Sequence, residues 1–149
     1  MTQTRLILVT SIVGASGVLT SIVIHGLAVM GIVIFGRWQS KAGRAGTGFW
    51  IDLFTVIVAT MVAFTAHLIE IAVWTALFWS SGESSGLIAN IHYAAVSYTT
   101  LGSAEAPARS ALLGPLAATD GMLMFGVSTA MLFGVIQRLL QTRYPDLRD

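Results

Sequence analysis

The sequence predicts an all-α membrane protein with three transmembrane helices and a short re-entrant segment between the second and the third. Three observations carry this expectation. Of the 149 residues, 55% are hydrophobic and only 10% charged, against roughly 25% charged in an ordinary soluble domain. The apolar residues gather into three stretches, 6–35, 51–79 and 112–136, each longer than the ~20 residues a membrane helix needs. Between the last two lies an apolar run too short to cross, closed at once by Pro107 and Arg109.

The first stretch exceeds the about 7–15 apolar residues of a signal peptide and lacks a strongly basic start, so it is expected to remain as a permanent span. His25 stands alone on it beside Gly26, where a hydrogen bond to a neighbouring helix is a simpler role than a ligand. The connection at 36–48 is glycine-rich and holds Arg37, Lys41 and Arg44, while Arg138, Arg143 and Arg148 follow the third stretch. Six of the eight basic residues thus fall on one side. By the positive-inside rule that side is cytoplasmic, which puts the N-terminus and residues 80–110 outside and the C-terminus inside a multi-pass cell (inner) membrane protein. Trp38 and Trp50 at one end of the second span, and Trp74 and Trp79 at the other, read as interfacial anchors.

The second span carries His67 and Glu70, three residues apart and therefore on one helix face. Ionisable groups in a membrane are costly and require partners. Two readings stay open: a cation or proton site, or a brace that holds the following short helix through Asn90, His92 or Ser97. That helix follows the turn at 80–86, with Ser85 as N-cap and Ile88, Ile91 and Ala95 repeating at helical spacing up to Tyr98. About three turns cannot cross a bilayer, so the chain must leave on the side it entered. Irregular backbone at that depth survives only where protein or water satisfies it, and the architecture implies a wet path.

The third span holds Asp120 about two turns in, either lining an outer vestibule or neutralising Arg109. Gly126, Ala130 and Gly134 recur every four residues, a spacing that serves close helix packing or, at Gly126 and Gly134, a hinge for a gate. Met122, Met124 and Met131 read as lipid-facing or interface packing. The tail at 137–149 is too short to fold alone.

The return segment reads Tyr98-Thr99-Thr100-Leu101-Gly102-Ser103-Ala104-Glu105. It resembles the potassium-channel pore family, whose filter is Thr-Thr-Val-Gly-Tyr-Gly-Asp after a short pore helix. The likeness covers residues 51–140, including the run 92–98 before the filter and 112–116 and 126–130 in the third span. It implies a peripheral helix at 1–36, a basic cytoplasmic loop at 37–48, a pore domain at 49–140 and a cytoplasmic tail at 141–149. It also implies a homotetramer, because rings of backbone carbonyls that replace a cation's hydration shell need four chains. The ion-conducting filter would then be Thr99, Thr100, Leu101, Gly102, Ser103 and Ala104, with Thr100 as the innermost ligand and permeant potassium or sodium inside. Ser103 and Ala104 stand where the family has Tyr and Gly. A left-handed conformation costs a non-glycine residue about 1–2 kcal/mol, so the outer ion sites are expected to be degraded and selectivity relaxed. Glu105 keeps the family's charge, and four copies would ring a vestibule able to take calcium at the outer mouth.

Cysteine is absent, which excludes disulfides and thiolate chemistry. A net charge of +1 offers no nucleic-acid surface. Membrane lipid is the expected environment, with no soluble domain, no resident cofactor or metal and no enzymatic reaction. The alternative is a haem-b-binding membrane anchor of a respiratory complex, with His25 and His67 as axial ligands on different spans. Their heights in the bilayer differ, which counts against that pairing.

Overall fold

The computed structural model describes residues 3–81, 86–102 and 112–144. Every regular element among them is helical: α1 (Gln3–Lys41), α2 (Phe49–Ser80), α3 (Leu87–Tyr98) and α4 (Leu113–Arg143). The three long helices coincide with the three apolar stretches but run past them, to 39, 32 and 31 residues. At 1.5 Å per residue each exceeds the ~30 Å hydrocarbon core. Their apolar segments reach mean hydropathies of 2.4, 2.1 and 1.6, and side chains such as Leu27 and Phe133 are 69% and 65% exposed. In water such faces would be a liability; on a multi-pass membrane protein they are the ordinary lipid or partner surface.

The helices contribute to two compact units, Met1–Ile24 with His67–Phe125, and His25–Ala66 with Gly126–Asp149. In the first unit the core is Trp74, Phe78, Ala94, Tyr98, Leu113, Ala117 and Met124, so Met124 packs inward while Met122 faces out. Helix α3 ends at Tyr98 as its spacing predicts. It starts at Leu87 with Gly86 in the N-cap position at φ 89° and no side-chain cap, whereas Ser85, the expected cap, lies outside the described residues. The face it buries is not the isoleucine stripe. Asn90, Ala94, Ser97 and Tyr98 point inward, and Ile88 and Ile91 stay 83% and 46% exposed.

The physical reason lies on α4. Gly114 and Gly121 present bare backbone to α3: a Cβ on Gly114 would sit 2.6 Å from the Tyr93 hydroxyl, and one on Gly121 would run into the Tyr98 carbonyl. The two glycines make room for Tyr93 and Tyr98, so the face of α3 that carries these tyrosines with Asn90, Ala94 and Ser97 turns toward α4. The same contacts measure how far α3 travels. Its middle is level with the end of α2, where the Phe78 and Tyr93 rings meet at 4.8 Å, and Tyr93 also touches the start of α4 at Gly114. Its last residue, Tyr98, is level with Glu70 and Gly121. Glu70 precedes the end of α2 by ten residues and Gly121 follows the start of α4 by eight, or about 15 and 12 Å along the axes. The chain therefore runs inward along α2 and α4 and resumes at Leu113, which packs in the same cluster as Phe78.

In the second unit Ile32, Ala59, Ala63 and Leu139 are buried. The turn between α1 and α2 is tied by Asp52, whose carboxylate accepts from the Gly46 amide at 2.9 Å and faces Arg143 at 3.5 Å. His25 Nε2 lies 2.8 Å from Ser128 Oγ, the interhelical hydrogen bond that a lone histidine on a span favours. Trp38 and Trp50 are exposed, as interfacial anchors would be.

Candidate functional site

The site is built at the inner end of α3, all within the first unit. Glu70 is fully buried on α2, and a buried carboxyl is tolerated only when hydrogen-bonded. It accepts from the Tyr98 hydroxyl, the last side chain of α3. His67 Nδ1 lies 3.0 Å from that hydroxyl and 3.3 Å from the same carboxylate oxygen. Because the hydroxyl donates to Glu70, the His67 nitrogen stands on the donating side of the chain, and its ring packs on Phe125 at 4.4 Å. Sequence reasoning pairs His67 and Glu70 correctly. It names Asn90, His92 or Ser97 as the link to α3; the structure shows Tyr98 donating from α3 to Glu70, while Asn90 and Ser97 are buried on the same face and His92 is exposed.

A second bond crosses from α2 to α4. Trp74 Nε1 donates to Asp120 Oδ2 at 2.8 Å, with both side chains fully buried. This corrects two expectations. Trp74 is a core residue rather than an interfacial anchor, and Asp120 is enclosed between helices rather than lining an open vestibule. The cause is a shared need: an indole N–H and a carboxylate away from water each require a partner, and the Trp74 N–H finds its acceptor in Asp120 Oδ2. Arg109 lies outside the described residues.

The bonds of Tyr98 to Glu70 and His67 hold the end of α3, and the backbone beyond Tyr98 is irregular. Thr99 is half-buried and turns its amide and hydroxyl onto Ala95 O at 2.9 and 2.7 Å, and the Thr100 amide reaches Ser97 O at 3.0 Å. Thr100 then adopts φ 61° and Gly102 φ 71°. Glycine takes such a conformation freely; a β-branched threonine does so only where its surroundings enforce it. Thr100, Leu101 and Gly102 all face outward, Leu101 at 80% exposure. Ser103, Ala104 and Glu105 lie outside the described residues.

Of the hinge candidates, Gly126 and Gly134 have open space where a Cβ would be, with nothing described within 4 Å. On α4 close packing is instead the work of Gly114 and Gly121, which sequence reasoning passed over. Their spacing of seven, two helical turns on one face, was the available signal.

No family model, no curated protein and no solved structure matches this chain. Fold and site together define a class: a multi-pass α-helical membrane protein whose short helix α3 is anchored by buried polar bonds and followed by left-handed backbone.

Proposed function

We propose that this chain is the protomer of a homotetrameric cation channel resembling potassium channels, with a divergent filter, Thr99 to Ala104, and relaxed selectivity. One observation carries the reading. A 12-residue helix ends at a braced residue about 15 Å inside the end of α2, and exposed residues with left-handed backbone at Thr100 and Gly102 come directly after it. Exposed polar backbone at that depth needs partner chains or water, and four copies around an axis would supply both. Thr100 and the carbonyls of Leu101 and Gly102 are then the inner ligands of potassium or sodium, toward which the C-terminal end of α3 aims its partial negative charge. The Glu70, Tyr98 and His67 group acts as the brace behind the filter, Glu105 as a ring at the outer mouth able to hold calcium, and Gly126 and Gly134 as the flexible positions of a gate. The N-terminus lies outside and the basic ends inside.

Flux from purified protein in liposomes under separate potassium, sodium and calcium gradients tests this. Monovalent flux with a potassium-to-sodium ratio within about tenfold is expected. Tight liposomes holding assembled protein that pass no cation would overturn it.

A further inference from the structure

The second unit contains a cavity whose polar lining the channel reading does not use. It has a volume of about 280 Å³ and lies between α1 and α4, walled by apolar groups such as Val29, Ile32, Val33 and Val135. Ser40, Ala45 and Arg138 line it and also line a second, polar cavity of about 360 Å³ that adds Gln141 and Thr142. An apolar slot thus runs into a polar chamber with a guanidinium at the junction. The unit carries further positive charge at Arg37, Lys41 and Arg44. Gln39 also lines the apolar slot; it is 4% exposed, and its Oε1 accepts no hydrogen bond among the described residues. Buried amide oxygens are normally satisfied, so this one calls for a donor brought by an occupant.

We propose that these joined cavities are a binding site for one anionic glycerophospholipid with a hydroxylated headgroup: an acyl chain in the slot, the phosphate on Arg138 and a headgroup hydroxyl on Gln39 Oε1. Charge decides the class. A guanidinium binds phosphate through paired charge-assisted hydrogen bonds, and a zwitterionic headgroup would bring its own cation to the same place. Apolar walls exclude a free phosphate metabolite as the whole ligand, because the slot would stay unfilled. By the positive-inside rule this end faces the cytoplasmic leaflet, where basic clusters recruit anionic lipid. The site does not depend on whether the protein conducts ions.

Native mass spectrometry of the full chain in detergent tests it, with phosphatidylglycerol and phosphatidylcholine added at equal concentration. Wild type is expected to retain phosphatidylglycerol about tenfold more than phosphatidylcholine, the scale of one charge-assisted contact. Arg138→Gln should remove the preference and Arg138→Lys keep most of it. Ala45→Phe, at the neck shared by the cavities, should lower retention of both lipids. Gln39→Leu should reduce the preference a few-fold. Circular dichroism melts confirm that each variant is folded. Equal retention of the two lipids by wild type overturns the site, as does undiminished phosphatidylglycerol in Arg138→Gln, or folded wild type that retains neither lipid in any assembly state.

Discussion

At the scale of single residues the buried polar bonds are the most consequential feature, because each joins two helices through side chains that are buried on both sides. Tyr98 is the sharpest case. Tyr98→Phe removes the donor to Glu70 and leaves that carboxyl short of a partner, at an expected cost of about 1–3 kcal/mol. Glu70→Gln keeps an acceptor for the hydroxyl and is expected to cost less. Thermal unfolding midpoints in one detergent give the comparison, and equal losses for the two would show that the bond is not what holds α3. Trp74→Phe probes the bond to Asp120 in the same way: it keeps an aromatic ring but strips the indole donor, so a loss of about 1–3 kcal/mol is expected. An unchanged midpoint would mean Asp120 is satisfied elsewhere.

Among elements, α3 is defined less by its own propensity than by the groove on α4 that receives it. Gly121 is where the two backbones come closest, and Gly121→Ala drives a methyl into the Tyr98 carbonyl. Overpacking of this kind costs about 1–3 kcal/mol; because backbone rather than a flexible side chain is struck, the upper end is expected. Gly126→Ala on the same helix meets open space and should stay within about 1 kcal/mol of wild type. A melting comparison that ranked the two alike would mean α3 does not lie against α4 here. The segment after α3 gives a functional counterpart. Gly102 holds φ 71°, which a β-branched side chain resists, so Gly102→Val is expected to abolish cation flux while leaving the helices and their melting largely intact. Flux that survives this change would show the ion path runs elsewhere.

For the whole molecule the proposal stands or falls on assembly, since one chain supplies a quarter of any carbonyl ring. A four-fold homotetramer is expected by native mass measurement and by cross-linking in detergent. A population that settles on monomers or dimers would remove the channel reading while leaving the lipid site open to its own test. The outward-facing isoleucines of α3 and the open Gly126 and Gly134 face of α4 are surfaces such an assembly would cover.

What the sequence determined by itself was the environment and the elements. Long apolar stretches report directly on the solvent a helix lives in, so three spans and the end of α3 at Tyr98 could be read without a structure. The same holds for the pairing of His67 with Glu70, because positions three apart share a helix face wherever the helix goes. Which face of α3 packs inward could not be read in this way. Hydrophobic spacing favours Ile88 and Ile91, but in lipid an apolar stripe gains little by burial, and the room that Gly114 and Gly121 leave for Tyr93 and Tyr98 turns the polar and aromatic face inward instead. Tertiary structure alone also assigned Trp74 to Asp120 and Tyr98 to Glu70. Those bonds join residues 46 and 28 positions apart, and a polar group's need for a partner says nothing about which distant one will meet it until the helices are side by side.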